Sequence, residues 1–207
     1  MTLIMLHGMG QNASSWNETV TFLPSEISAV CPELSDFFIK GECTYSRLYS
    51  KFCDYLEGFT EPVDLCGLSL GAVLALNYAA DRPDRVGSLI LIAPQYRMPK
   101  TLLKLQNIIF KLMPDRSFKS IGFSRADFIT LTNSMADIDM SGKLPNISCP
   151  ALILCGEKDG ANKKAAAELA KLIPNGDFSE IKKSDHEVNR DNPKELARVI
   201  SEWSGRI

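Results

Sequence analysis

Short apolar runs recur along the chain, separated by longer stretches with a different period. Leu3–Leu6, Ile27–Cys31, Val63–Cys66, Val86–Ala93 and Ala151–Cys155 are nearly continuous in apolar residues. Runs of that length without alternation read as strands buried on both faces. Asp177–Ile181 completes the series as a last strand. Between them the spacing turns helical. Tyr45, Leu48, Phe52, Tyr55, Leu56 and Phe59 predict a helix over roughly 44–58. An Ala/Leu-rich run after Ser69 predicts another, broken near Asp81 by Arg82-Pro83-Asp84. Ala165–Ile173 is a third, closed by Pro174-Asn175-Gly176. The last helix takes Asn192 as N-cap and Pro193 at its first position, with Leu196, Val199, Ile200 and Trp203 on its apolar face. Ser15-x-x-Glu18 has the form of a capping box, which predicts a helix starting near Trp16 and ending by Pro24.

Strand and helix thus alternate, and the predicted class is α/β, a mainly parallel sheet of about six strands covered by helices on both faces. Residues 95–147 break the rhythm, with helical patterns and no convincing strand. The chain therefore divides into a core, 1–94 and 148–207, and a helical cap, 95–147, inserted over the strand ends where open sheets bind ligands.

Composition narrows the class. The chain has 207 residues, enough for one domain with a sizeable core, and a net charge of −2 argues against general nucleic-acid binding. No apolar run approaches the ~18 residues of a membrane span. The first residues are too short and too poorly flanked by basic residues for an export signal. Six cysteines without a C-x-x-C pair read as buried thiols of a cytoplasmic protein. No metal-ligand cluster or dinucleotide fingerprint is present, so no cofactor is expected.

The chemistry centres on Gly67-Leu68-Ser69-Leu70-Gly71, between a strand and a helix. Glycines two residues on either side of the serine suit a turn too tight for side chains, which presents the hydroxyl at the top of the sheet. Such a nucleophile needs a base in reach and a group to orient it. Only two histidines are available, His7 and His186. Chain order behind such a turn runs serine, acid, histidine, which selects His186 in the loop after the last strand. His7 is left to brace its own loop. Asp159, in Gly156-Glu157-Lys158-Asp159 after the next-to-last strand, is the preferred acid. Glu157, Asp185, Asp137 and Asp139 are weaker alternatives. Leu70, at a helix N-terminus, and Met9, between Gly8 and Gly10, are placed to offer backbone N–H groups to an oxyanion.

His7-Gly8-Met9-Gly10, Gly67–Gly71, Gly156–Asp159 and Asp185-His186 together resemble the signature blocks of the α/β-hydrolase superfamily. Arg82-Pro83-Asp84-Arg85-Val86 and Cys149-Pro150-Ala151-Leu152 fit the same resemblance, which spans nearly the whole chain outside the cap. It is closest to small cap-bearing serine esterases, among them carrier-protein methyl-ester esterases and the menaquinone-pathway synthase. The resemblance implies a three-layer α/β-hydrolase fold, a Ser69–Asp159–His186 triad and an oxyanion hole from Met9 and Leu70. It departs in one respect, because the hairpin that usually precedes the His-Gly strand is missing.

The expected activity is hydrolysis of carboxylic esters or thioesters through an acyl-enzyme. The alternatives are a lyase or C–C bond hydrolase using the same groups, and a non-catalytic ligand receptor. From Arg97 to Arg125 seven basic residues face one acid, a balance of +6 in a chain of −2. Leu102–Met113 within it is strongly apolar, with Leu103, Ile109, Phe110 and Met113 able to face a pocket. An apolar lining under a basic face would suit a small acyl ester carried by an anionic acyl carrier.

Overall fold

The computed structural model describes residues 2–38, 42–99, 103 and 124–206. Six strands make one sheet: β1 Thr2–Leu6, β2 Ser28–Val30, β3 Val63–Leu68, β4 Val86–Ile92, β5 Ala151–Gly156 and β6 Gly176–Ile181. Their order is β2-β1-β3-β4-β5-β6, and every neighbouring pair is parallel. The winding reverses between β1 and β3. Loops leaving those two strands diverge there and open a crevice at the carboxyl ends, the usual ligand position in such sheets.

The apolar runs are strands because each is buried on both sides. Ile4, Leu6, Leu65, Leu89, Leu91 and Ile153 face one core. Leu3, Met5, Cys66, Ile90, Ile92 and Leu154, alternating with them, face the other. The first core is closed by α2 (Tyr45–Leu56), α3 (Leu70–Asp81) and α5 (Lys163–Leu172), through residues such as Leu48, Phe52, Ala75 and Leu169. The second is closed by Trp16 and by Leu196, Ile200 and Trp203 of α7 (Pro193–Ser204). Each fully buried Leu or Phe stabilises this arrangement by about 1.5–3 kcal/mol. The predicted three-layer α/β class therefore holds. The edges are unlike the centre. β2 is three residues long, and β6 is exposed or half-buried at every position but Ile181, as suits edge strands that avoid further pairing.

Helix α3 is buried along nearly its whole length, which accounts for its Ala-rich composition. It stops at Asp81, where Pro83 opens a short turn into β4. The N-cap of α7 forms as predicted: the Asn192 side chain accepts the Glu195 N–H at 3.4 Å.

The first helix lies within its predicted bounds, but its cap differs from the sequence reading. A tight 3-10 turn occupies Ala13–Trp16, and α1 follows only over Asn17–Thr21. Ser15 does not cap that helix. Its hydroxyl accepts the Asn12 N–H at 3.4 Å and the Arg190 guanidinium at 3.1 Å, so it serves the preceding turn. Other small elements among the described residues were not predicted either, among them 3-10 turns at Leu34–Phe38 and Leu144–Asn146 and the four-residue helix α6, Val188–Asp191.

In the segment 95–147 the described residues include α4 (Arg125–Ser134) and an isolated bridge between Arg97 and Asp139. Most of Leu102–Met113 lies outside the described residues, as do Lys100, Lys104, Lys111, Arg116 and Lys119.

Candidate active site

Sequence and sterics together force the turn at Ser69. A Cβ on Gly67 would lie 2.3 Å from the Gly71 carbonyl oxygen, and one on Gly71 would lie 2.2 Å from that of Leu6. Neither position tolerates a side chain. Ser69 between them is held at φ 54°, ψ −109°. Strain of this kind costs on the order of 1–3 kcal/mol and persists only where surrounding structure enforces it. Here the Ser69 N–H donates to the Ile92 carbonyl at 2.9 Å, and α3 starts at the next residue. The first N–H groups of a helix have no intrahelical partner, and they lie beside Ser69. Among the described residues, the other non-glycine positions with positive φ are Ala93 and Lys183. They follow β4 and β6, so the strain gathers at the carboxyl ends of the strands.

His186 and Asp159 meet at those same ends. His186 Nδ1 is 2.8 Å from Asp159 Oδ2. The carboxylate is only 3% exposed, while the imidazole is 41% exposed at the mouth of the site. Bonding to Asp159 raises the His186 pKa above the ordinary 6.5, against the opposing effect of burial. For Asp159 burial is the largest influence and favours the neutral acid. The bonds from His186 and Asn162 outweigh it and hold the carboxyl below its usual range. This pair fixes Nδ1–H on the imidazole and leaves Nε2 free to accept a proton. Asp159 has further partners. Asn162 Nδ2 donates to both carboxylate oxygens at 2.9 Å, and the Asn162 backbone N–H donates to Oδ1 at 3.2 Å.

Of the other candidate acids, Glu157 and Asp139 are engaged elsewhere. Glu157 accepts the Lys183 N–H at 2.8 Å and braces the turn before His186. Asp139 pairs with Arg97 at 2.9 Å. Asp185 lines the pocket, with its peptide N–H bonded to Asp191 at 2.7 Å.

His7 lies at the end of β1, 2% exposed. Its Nδ1 is 3.0 Å from the Gly8 carbonyl, and its Nε2 is 3.1 Å from both the Leu34 N–H and Glu33 Oε1. Leu34 requires a lone pair at Nε2, whereas Glu33 requires a proton. Burial lowers the His7 pKa despite the Gly8 carbonyl and Glu33, which favours the neutral ring: Nδ1–H donates to Gly8 and Nε2 accepts from Leu34. His7 is therefore a brace for its loop, as expected. The loop is fastened further along by Gln11. Its side chain accepts the Gly8 N–H at 3.4 Å and exchanges two 3.1 Å hydrogen bonds with Asn189, three residues beyond His186. One buried amide pair thus ties the Met9 loop to the His186 loop.

These groups open on a common pocket of about 410 Å³. Met9, Ser69, Leu70, Asp159 and His186 all line it, so the structure brings together all five residues singled out in the sequence. Val73, Met98, Leu103 and Met135 make its apolar part. On the polar side Gln95 and Asn162 join the wall, and no motif in the sequence marks either. Helix α4 reaches the site as well, through the Thr132 hydroxyl 3.7 Å from Met9 Sδ.

Comparison with known proteins agrees with this fold. An esterase from Exiguobacterium antarcticum superposes with a TM-score of 0.85 at 17% identity, over 99% of this chain and 92% of its own. A thermophilic esterase from Thermogutta terrifontis superposes at 0.80 with 22% identity, over 100% and 90%. At these identities the likeness speaks for the fold. In sequence, the chain is 24% identical to monoacylglycerol lipase ABHD6 of Mus musculus, covering 100% of this chain and 76% of that protein. It is 22% identical to a pimeloyl-[acyl-carrier protein] methyl ester esterase of Vibrio parahaemolyticus, over 89% and 86%. The model of the alpha/beta hydrolase family matches residues 3–199, nearly the full length, and the chain belongs to that family.

Proposed function

We propose that this chain is a carboxylic-ester hydrolase working through an acyl-enzyme on Ser69. In this reading Ser69 Oγ attacks the ester carbonyl carbon while His186 Nε2 takes its proton. Asp159 holds the imidazole and stabilises the imidazolium. The N–H groups of Met9 and Leu70 receive the oxyanion, each worth roughly 10²–10³ in turnover. Collapse breaks the ester C–O bond, and the alkoxide leaves with the proton from His186. Water then attacks the acyl-enzyme with His186 again as base, which releases the acid and restores Ser69. The observation that carries the reading is the Asp159–His186 pair, bonded at 2.8 Å, on the wall of the pocket that also holds a conformationally strained Ser69.

The names of the two sequence relatives, a lipase and a methyl-ester esterase, favour ester cleavage over the lyase, C–C hydrolase and receptor alternatives. We read 95–147 as the cap, supported by Gln95, Met98, Pro99, Leu103 and Met135 on the pocket wall. A cytoplasmic setting is supported by six free cysteines. Burial pushes the thiols of Cys31 and Cys149 up to about 11 and those of Cys43 and Cys155 to about 12. Among the described residues no helix is long and apolar enough to cross a membrane.

The test is a panel of p-nitrophenyl esters and thioesters with Ser69→Ala as control. Turnover by the parent chain alone is expected, and equal turnover by Ser69→Ala would overturn the reading. A second reading, that the acyl group arrives on an anionic carrier, is favoured by the +6 balance of residues 97–125 and by the carrier-protein esterase relative. It predicts that a carrier-linked ester outpaces the simple ester of the same acyl group at low salt and loses that advantage at high salt. Equal rates at low salt would exclude it.

A further inference from the structure

Asn162 stands at a helix N-cap and does not cap its helix. An asparagine there ordinarily accepts an N–H from the first helical turn. In this chain the Asn162 side chain makes no such bond to α5. Its Nδ2 instead donates to both oxygens of Asp159 at 2.9 Å, and its Oδ1 accepts from Gln95 Nε2 at 2.7 Å. Gln95 comes from the loop after β4, a different part of the chain, and lies on the pocket wall. The Asn162 amide is 8% exposed, and the carboxylate it serves is 3% exposed.

The chemistry gives this arrangement a direction. An amide can turn over and exchange its oxygen and nitrogen. In the reversed orientation the Asn162 carbonyl would face both oxygens of a carboxylate, which is repulsive. The Gln95 N–H supplies a donor to Oδ1 and so holds the productive orientation. Asn162 Nδ2 is also 3.2 Å from His186 Nδ1. Because Nδ1 spends its proton on Asp159, that approach places one partial positive charge beside another and works against the imidazolium. The charged groups acting on His186 are otherwise acidic: Asp159, Glu187 and Asp185.

We propose that Asn162 and Gln95 are positioning residues for the reaction: Asn162 fixes the carboxylate of Asp159, and Gln95 fixes the orientation of Asn162 from the wall of the substrate pocket. The proposal rests on the Ser69–His186–Asp159 reading above. It makes the substrate pocket and the buried acid parts of one hydrogen-bonded chain, Gln95–Asn162–Asp159–His186.

The test is steady-state hydrolysis of p-nitrophenyl acetate across pH by the full chain and by Asn162→Ala, Asn162→Asp, Gln95→Ala, the Asn162→Ala/Gln95→Ala double variant and Asp159→Asn. Asn162→Ala should lower kcat about 10- to 100-fold, the worth of one hydrogen bond to a charged group, with KM little changed. The acid limb of the kcat/KM profile should move to higher pH in Asn162→Ala, and further in Asn162→Asp, which sets a second carboxylate against the first. A merely structural role would lower the folded fraction, followed by melting temperature, without moving that limb. Gln95→Ala should lower kcat less, and it should have no further effect in the Asn162→Ala background. Half-buried Gln95 gives a readout even if Asn162→Ala folds poorly. An unmoved limb and unchanged kcat in Asn162→Ala, beside an inactive Asp159→Asn, would overturn the proposal while leaving the triad standing. Equal loss from Gln95→Ala in both backgrounds would overturn the link between the two amides. A fully active Asp159→Asn would instead remove the triad reading itself.

Discussion

Replacing Gly156 by alanine would place a methyl group 2.0 Å from the Asp185 carbonyl oxygen and 2.7 Å from that of Ser184. Ordinary contact begins near 3.4 Å, so the end of β5 and the loop bearing His186 must separate by about 1.4 Å. Neither side is a flexible side-chain tip. The Lys158 N–H is bonded to the Ser184 carbonyl at 2.9 Å, and the Glu157 N–H to the Ile181 carbonyl at 2.9 Å, so the strand end and the loop form one latched unit. Asp159 rides on one side of that latch and His186 on the other. Their bond is 2.8 Å long, and a separation of this size breaks or bends it. Misplacement by about 1 Å costs roughly 10²-fold in rate, and that is the predicted loss in kcat. Overpacking of this kind costs about 1–3 kcal/mol. At about 2–4 °C per kcal/mol, the melting temperature should fall by a few to roughly ten degrees. The assay is p-nitrophenyl ester hydrolysis per folded molecule, with folding followed by circular dichroism. Gly176→Ala is the control. Its methyl would sit 2.5 Å from the Ala170 carbonyl, at the start of β6 and away from the site. That variant should lose stability and keep its kcat. A folded Gly156→Ala protein with undiminished kcat would refute the reasoning, because the Asp159–His186 geometry would then not govern the rate.

Four further outcomes follow from the same geometry. Asp159→Asn should lower kcat by about 10⁴, because an amide no longer selects the Nδ1–H tautomer; stopped-flow or steady-state ester hydrolysis reads this directly. His186 must be neutral to accept a proton, and its pKa is raised above 6.5, so kcat/KM should fall as pH drops through a midpoint above 6.5. A midpoint below 6.5 would contradict the assigned environment. The Asp159 carboxyl is held below 3.8 in the folded chain, so its contribution to stability is present above 3.8 and is lost as pH falls through the depressed value; acid unfolding of Asp159→Asn should lack that component. Gln11→Ala leaves the buried Asn189 amide short of a partner, which should cost about 1–3 kcal/mol in denaturant unfolding and lower kcat by loosening the Met9 loop.

Much of this architecture was legible because the physical causes are local. β1, β3, β4 and β5 are buried on both faces, and continuous apolar runs announce that directly. Gly67 and Gly71 face backbone at less than ordinary contact distance, so their spacing around Ser69 is a steric requirement visible in the letters alone. With two histidines in the chain and a fixed order of serine, acid and base, Asp159 and His186 could be chosen before any contact was seen. The remainder depends on partners far apart in sequence. Gln11 and Asn189 are 178 positions apart, and Gln95 and Asn162 are 67 apart. Neither pair leaves a pattern in its own neighbourhood. Asn162 reads as an ordinary helix cap, and only its contact with a carboxylate shows otherwise. Ser15 misled for a related reason: the capping-box spacing was present, but Arg190 and the Asn12 turn claim its hydroxyl.

The central claim is that Ser69 is the nucleophile. Reaction of the purified chain with a fluorophosphonate, followed by intact-mass measurement and peptide mapping, tests it most directly. One phosphonyl adduct on Ser69 is predicted, formed in the parent chain and absent from Ser69→Ala. A folded chain that carries no adduct at Ser69, or carries it equally after Ser69→Ala, would contradict the claim.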